Sequence, residues 1–132
     1  MKIRSSVLLA GVALMLCAAP MQAHHSFAAQ YDASKPLDMT GVVTKIEWTN
    51  PHARFYIDVK DAQGAVLTWN FELASPNVLV RNGFKRDTLK MGDVVAVTGY
   101  LGRTGGTMAI ASGVTTADGR KLFASTASDL GR

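Results

Sequence analysis

The residues of this sequence best suited to chemistry are its three histidines, each of which stands beside a feature that restricts its position. His24 and His25 directly follow Ala23, the last residue of a Pro20-Met21-Gln22-Ala23 segment, and His52 ends an Asn50-Pro51-His52 segment. A neutral imidazole is the commonest metal ligand, and a histidine at a free N-terminus can chelate through both its ring and its α-amino group. The three histidines therefore predict a single transition-metal site.

Copper is the metal that a nitrogen-rich donor set favours most, with zinc and nickel behind it in the affinity order. Because the ligands must be neutral, binding is expected to weaken as the pH falls through the ordinary range of histidine. The alternative is that His24 and His25 are only the polar N-terminus left when a preceding signal peptide is cleaved off, and that His52 hydrogen-bonds its own loop. Histidines divided between an arm and a loop are a less specific motif than a pair on one helix, so both interpretations stay open here.

The first 23 residues have the pattern of a secretory signal peptide. Lys2 and Arg4 precede an apolar run from Val7 to Ala19, and Ala23 offers a small-residue cleavage site. The apolar run is shorter than the roughly 20 residues that cross a bilayer. We therefore expect cleavage after Ala23, export to the periplasm, and a mature protein that starts at His24 and has no membrane span.

The composition of the mature chain narrows the function classes. Its only cysteine, Cys17, leaves with the signal peptide, so no disulfide, thiol nucleophile or cysteine metal site remains. Loss of Lys2 and Arg4 lowers the net charge of +4 by two, and no basic patch is left to indicate nucleic acid as a partner. The chain also lacks a recognisable catalytic triad and a phosphate-binding glycine loop, so an enzyme is the less favoured class. Nothing in the composition indicates the oligomeric state.

Two strand patterns flank the corner that carries His52 and must position it. Pro51 stiffens this corner and restricts the residue before it. Alternation assigns one buried face to each strand: Val42, Thr44, Ile46 and Trp48 in the first, and Phe55, Ile57 and Val59 in the second.

The remaining elements complete a barrel. A third strand at 66–73 alternates Leu67, Trp69, Phe71 and Leu73 with polar residues, and a short helix follows with Ser75 as N-cap, Pro76 at its first position and Gly83 past its end. Within this helix region, Val80 and Phe84 lie four residues apart with Leu79 adjacent, so we expect one side to cover an apolar opening. The run at 94–100 predicts a strand covered on both sides, and further strands are predicted at 108–116 and around 121–123.

This order predicts a mainly β protein: a small five- to six-stranded OB-like barrel with one short helix between strands 3 and 4. A two-sheet sandwich is the alternative, but Gly41 and Gly99 lie inside strand patterns, where they permit the bulges that barrels require. The predicted organisation is a cleaved signal peptide at 1–23, an N-terminal arm at 24–36, the barrel at 37–124 and a flexible tail at 125–132.

Four further residues are candidates for ligand contacts. Asn50 and Glu72 can each orient a metal-binding histidine. The alternative is that Asn50 caps the turn and that Glu72 lies on the solvent face of the third strand. Trp48 and Trp69 can form an aromatic platform of the kind OB-folds use for oligosaccharides or single strands, or else pack at the edge of the core. The scattered basic side chains, Arg54 among them, are expected to solvate the surface.

Several segments together resemble a family of small exported bacterial proteins of unknown function. They are Ala23-His24-His25-Ser26-Phe27, Thr40-Gly41-Val42-Val43, Glu47-Trp48-Thr49-Asn50-Pro51-His52, Trp69-Asn70-Phe71-Glu72 and Gly92-Asp93-Val94-Val95. The resemblance covers nearly the whole mature chain, and the His-His pair with the Trp-Thr-Asn-Pro-His motif is its specific part. It implies an exported single-domain protein and supplies no reaction.

The sequence thus predicts an exported periplasmic protein that binds a small ligand, with a metal ion, copper first, as the leading candidate. The alternative is a metal-independent binding or interaction module that holds an oligosaccharide, a cell-wall fragment or a protein partner near Trp48 and Trp69. The course of the N-terminal arm distinguishes them, because only the metal site requires the arm to run toward His52.

Overall fold

Six strands and two short helices make up the part of the chain that the computed structural model describes, residues 26–132. In chain order they are α1 (Phe27–Gln30), β1 (Tyr31–Glu47), β2 (Arg54–Lys60), β3 (Val66–Glu72), α2 (Pro76–Arg81), β4 (Val94–Gly102), β5 (Met108–Thr116) and β6 (Lys121–Leu122).

The strands close into a barrel. Their order in the sheet is β3-β2-β1-β4-β5-β6 with antiparallel neighbours, and β3 also pairs with β5 in parallel, from Asn70 opposite Met108 to Glu72 opposite Ile110. This last pairing completes a ring of hydrogen bonds and leaves few exposed strand edges. The predicted OB-like barrel, with its short helix between strands 3 and 4, is confirmed.

The barrel interior is filled largely as the alternation predicts. Phe55, Ile57 and Phe71 are fully buried, and the Phe55 and Phe71 rings stack with centroids 5.5 Å apart. Helix α2 begins at Pro76 and is followed by Gly83 at φ +84°, as expected from the sequence, but it buries Leu79 and leaves Val80 48% exposed. Leu79 and Phe84 are thus buried as expected, whereas the inward assignment of Val80 is wrong because the last turn directs Leu79 inward instead.

A bulge in β1 changes the face predicted for its first half. The pairing of β1 with β2 shifts register between Val43 and Lys45. An extra residue in one strand reverses the side to which the preceding side chains point. Val43 is therefore buried and Val42 is 41% exposed, so the inward assignment of Val42 and Thr44 is wrong, whereas that of Ile46 and Trp48 is confirmed.

Strand β4 has only one covered face. Val95 and Val97 are buried, whereas Val94 is 46% exposed and Thr98 faces solvent. The predicted cover on both sides is wrong, because closure of the barrel covers the inner face of this strand and leaves Val94 and Thr98 on its outer face in solvent. The expected irregularity at Gly99 is present as a register shift between Thr98 and Gly99.

The two ends of the described chain are more structured than their sequences suggest. Strand β1 starts at Tyr31, inside the segment expected to be an arm, because Tyr31 pairs with Gly102 and is buried. The last residues, expected as a flexible tail, form hydrogen-bonded turns, with the Leu130 and Arg132 amides donating to the carbonyls of Thr126 and Ala127. Both ends of the described chain can therefore form part of the lining of a pocket.

Candidate functional site

A pocket of about 320 Å³ lies where four separate parts of the chain meet: the start of α1, the Asn-Pro-His corner, the end of β3 and the C-terminal turn. Its lining consists of Ser26, Phe27, His52, Glu72, Ser128, Asp129 and Gly131. Of the residues predicted from the sequence as functional, the pocket contains His52 and Glu72. Ser128, Asp129 and Gly131 come from the tail, to which the sequence assigns no role.

His52 is held in a defined orientation at the rim of this pocket. Its Nδ1 lies 2.9 Å from the carbonyl oxygen of Leu73, and about a third of the side chain is exposed. A carbonyl oxygen only accepts hydrogen bonds, so Nδ1 must carry the hydrogen and donate it. In the neutral ring this leaves Nε2 with its lone pair, which is the arrangement found in histidines that bind metals.

Glu72 is buried beside this histidine, although it lies on the outer side of β3. Only 7% of the residue is exposed. Its Oε2 accepts hydrogen bonds from the hydroxyl of Tyr31 at 2.8 Å and from Nη2 of Arg54 at 2.5 Å, while its Oε1 lies 3.7 Å from Nδ1 of His52. The carboxylate therefore faces the N–H edge of the imidazole and does not point into solvent.

The charges in this cluster balance. Arg54 is about three-quarters buried, pairs with Glu72 and also donates from Nη1 to Oδ1 of Asn70 at 3.3 Å. A buried carboxylate is tolerable when it is paired and hydrogen-bonded in this way. Burial, and then the adjacent Glu72 carboxylate, raise the pKa of Tyr31 above its usual value, so the Tyr31 hydroxyl remains a neutral donor at ordinary pH.

Tyr31 and Arg54 are the members of this cluster that sequence reasoning missed. A signal for Arg54 was present in the hairpin register. Counting back from the turn after β2, where Lys60 lies opposite Val66, brings Arg54 directly opposite Glu72. Opposite charges facing each other across two strands stabilise the pair, so the register alone marks Arg54 as its partner. Tyr31 has no such local signal, because it lies 41 positions from Glu72 in the sequence.

The other predicted residues lie away from the pocket lining. Asn50 is exposed at the corner, where its peptide bond to Pro51 is cis. Trp48 lies 6.2 Å from Phe84 and Trp69 lies 6.3 Å from Phe71, measured between ring centroids. Both indoles are partly buried against the core cluster, and they pack on different aromatic partners.

The C-terminal turn is fixed against the start of α1. Gly131 has φ +70°, and its Cα lies so close to Phe27 that an added Cβ would stand 3.1 Å from the phenyl ring. The neighbouring Arg132 donates from Nη2 to the hydroxyl of Tyr100 at 2.7 Å. Phe27 also packs edge-on against the Tyr100 ring, with centroids 5.6 Å apart. The arm and the tail thus hold each other against the barrel.

His24 and His25, the other two predicted ligands, lie outside the described residues. Within residues 26–132, no three histidine, cysteine, aspartate or glutamate side chains stand close enough together to hold a metal ion. Neither of the two described helices is long and apolar enough to cross a membrane.

Comparison with known proteins gives a family but no activity. No curated protein matches the chain. The resemblance to a family of unknown function therefore stands without a reaction, and the His-His-Ser-Phe start and the Trp-Thr-Asn-Pro-His motif remain predictions as marks of that family. A family model described as "Family of unknown function (DUF6152)" matches residues 12–111, about three-quarters of the chain, and the protein belongs to that family.

Proposed function

We propose that this protein is exported, is cleaved after Ala23 and binds a transition metal, copper first, through His24, His25 and His52. One observation carries the proposal. Ser26, which directly follows His25 in the sequence, lines the same pocket as His52. The described part of the arm therefore runs toward His52, as a shared metal site requires.

The distances available to the chain support this assignment. Two residues of fully extended chain span at most about 7 Å. His24 and His25 directly precede Ser26, which lines the pocket, so their Cα atoms stay within about this distance of a pocket residue. The α-amino group created by cleavage would belong to His24 and would add a nitrogen donor to the imidazoles.

The surroundings of His52 also support a role as a ligand. The Leu73 carbonyl accepts the Nδ1 hydrogen, which directs the ring and leaves Nε2 for a metal. The Glu72 carboxylate, 3.7 Å from Nδ1, favours the positive charge that the ring gains when a cation binds. Glu72 would thus act as a positioning residue and not as a ligand.

The alternative, a metal-independent module that binds an oligosaccharide, a cell-wall fragment or a protein partner, has less support. It relies on Trp48 and Trp69 as a platform, yet each indole is engaged with a separate aromatic residue of the core. This second function remains the outcome to accept if the metal experiments fail.

Calorimetric titration with Cu(II) tests the proposal on three proteins: the mature chain starting at His24, the same chain with extra residues before His24, and the mature His52→Ala variant. We expect the extended chain to bind more weakly because it lacks the α-amine, and His52→Ala to bind more weakly because it lacks a ligand. Lys60→Ala, an exposed change on β2 outside the pocket, is the control and should bind like the wild type. If the extended chain and His52→Ala both bind copper as the mature wild type does, the shared site does not exist.

The position of cleavage can be checked separately. Mass spectrometry of the protein purified from the periplasm should give a chain that starts at His24. A chain that retains residues 1–23, or one that carries a lipid on Cys17, would contradict both the export route and the free histidine terminus.

A further inference from the structure

The beginning of β3, residues 66–68, forms an open edge of the sheet, here called the β3 edge. Strand β3 pairs with β2 along its whole length, but it pairs with β5 only from Asn70 onward. Val66, Leu67 and Thr68 are all exposed, and Leu67, which the alternation assigns to the interior, is 48% exposed. Within residues 26–132, no strand therefore pairs with the outer side of the β3 edge.

The backbone groups that point to this open side follow from the hydrogen bonds at its two ends. The amide of Asn70 donates toward the loop before β5, whereas the carbonyl of Ala65 accepts from Asp61 on the β2 side. Successive residues of a strand direct their N–H and C=O groups to alternate sides, so those of Val66 and Thr68 point outward like those of Asn70. The β3 edge thus offers both donors and acceptors to a further strand.

The β3 edge also lacks the features that usually prevent such pairing. Exposed edges are commonly protected by charged side chains, by proline or by a bulge. Val66, Leu67 and Thr68 are uncharged, and their register with β2 is regular. Two of the three are β-branched, which favours the extended conformation that a paired strand requires. The segment is therefore suited to accept another strand.

We propose that the β3 edge pairs antiparallel with the same edge of a second copy of this chain, across a two-fold axis at Leu67. Because a two-fold contact is self-complementary, Val66 of each copy lies opposite Thr68 of the other. Both pairs exchange their outward N–H and C=O groups, and the two Leu67 side chains meet at the non-hydrogen-bonded position between them. The contact removes two half-exposed leucine side chains from water.

The charges beside the β3 edge favour a second copy in this register. On the outer face of the sheet, Lys60 lies opposite Val66, and Asp58 lies opposite Thr68 and accepts from its hydroxyl at 2.6 Å. Each row of side chains across the joined sheet then has Lys60 of one copy at one end and Asp58 of the other copy at the other end. A pairing of Thr68 with Thr68 would instead put Asp58 at both ends. Such complementarity selects the register more than it adds affinity.

Disulfide trapping tests the position of the axis. Residues opposed at a non-hydrogen-bonded antiparallel position have Cα atoms about 4.5 Å apart, within the range that a disulfide spans. Leu67→Cys is made in a Cys17→Ser background, so that the chain has no other thiol. Val80→Cys is the matched control, because Val80 is also 48% exposed but lies on α2. Under mild oxidation we expect Leu67→Cys to form the covalent dimer about tenfold faster or more, because association raises the local thiol concentration.

Sedimentation equilibrium measures the association itself. A chelator is present so that no metal ion joins two copies, which makes the result independent of the proposed metal site. We expect the wild type to dimerise weakly, at concentrations on the order of 0.1 mM, because the contact is small. Leu67→Lys opposes like charges at the axis and should weaken the dimer by about tenfold or more, whereas Val80→Lys should not change it. An equal mixture of Leu67→Lys and Leu67→Glu should dimerise again, since opposite charges then meet.

Three results would overturn the inference. The first is a wild type that stays monomeric up to about 1 mM, where even a small specific interface associates. The second is cross-linking of Leu67→Cys no faster than that of Val80→Cys. The third is a dimer that Leu67→Lys leaves unchanged. Recovery of the dimer in the mixture excludes misfolding as the cause of its loss, and a mixture that stays monomeric contradicts the axis at Leu67.

Discussion

At the scale of single residues, the candidate site depends on a polar cluster whose members come from distant parts of the sequence. Sequence reasoning identified His52 and Glu72, because a histidine at a proline corner and a glutamate among apolar neighbours are unusual positions. It could not identify Tyr31 or Asp129. Tyr31 reaches Glu72 across 41 positions of the chain, and no periodic pattern reports such a contact.

Tyr31→Phe should destabilise the protein by about 1 to 3 kcal/mol at neutral pH, since it leaves the buried Glu72 carboxylate with one partner fewer. Urea denaturation measures the change. Tyr100→Phe is the matched control, because its hydroxyl bonds Arg132 nearer the surface and its loss should cost less. Equal losses of stability in the two variants would show that burial does not strengthen the Tyr31 bond.

The same tyrosine predicts a fall of stability in alkali. The unfolded chain releases the Tyr31 proton near pH 10, whereas the raised pKa of the folded state retains it to higher pH. Unfolding above about pH 10 therefore releases a proton, so the free energy of unfolding must decrease as the pH rises. Denaturation at pH 9 and pH 11 should show a smaller decrease for Tyr31→Phe than for the wild type. An identical decrease in both proteins would assign the effect to other groups.

At the scale of elements, the period-2 patterns predicted the strands, and cap residues predicted α2, because both signals depend on neighbouring residues. The wrong predictions concern side-chain orientations that depend on contacts between residues distant in the sequence. The bulge in β1 reverses the orientation of Val42 and Val43, and two consecutive valines give no hint of which one points inward. Closure of the barrel similarly leaves the outer face of β4 in solvent, although its apolar run resembles a strand covered on both sides.

The register shift between β4 and β5, where Ser112 of β5 is the extra residue, makes a prediction about two neighbouring glycines. An added Cβ at Gly99 would collide with the backbone carbonyl of Ile110, whereas one at Gly113 would stand 3.1 Å from Oγ1 of Thr98, a side chain that can rotate. Gly99→Ala should therefore cost about 1 to 3 kcal/mol, as overpacking does, and Gly113→Ala clearly less. Thermal denaturation of both variants measures this. A larger cost at Gly113 would contradict the close approach of β4 and β5 at Gly99.

The inner face of β2 gives a test of strand register. Ile57 is fully buried, while Lys60, three residues later, is exposed. Ile57→Ala should cost roughly 2 to 5 kcal/mol, and Lys60→Ala should be nearly neutral. Denaturation curves with equal shifts for both variants would refute the register between β2 and β3.

At the scale of the whole molecule, the barrel is closed by contacts that no local sequence pattern predicts. The pairing of β3 with β5 joins Asn70 to Met108, and the packing of Phe27 against Gly131 joins the start of the described chain to its end. The first contact closes the fold and the second builds the pocket. This division explains why the fold was largely predictable from sequence, while the composition of the candidate site was not.

The last prediction separates the stability of the pocket from that of the barrel. A chain that ends at Ser125 keeps the bond from the Ser125 hydroxyl to the Ala111 carbonyl but loses the packing of Gly131 on Phe27 and the bond from Arg132 to Tyr100. Because short terminal elements open locally at low free-energy cost, the truncated chain should release α1 while the barrel stays closed.

Hydrogen exchange followed by mass spectrometry or NMR can measure this release. The amides of Ala29 and Arg103, which donate to the carbonyls of Ser26 and Gln30, should exchange faster in the chain ending at Ser125. The amide of Asn70, which donates to Thr107 beside the β3–β5 pairing, should exchange at the wild-type rate. Faster exchange at all three amides would mean that the tail stabilises the entire barrel. Unchanged exchange at all three would mean that the tail does not hold the arm, because the arm would then keep its place beside His52 without Gly131 and Arg132.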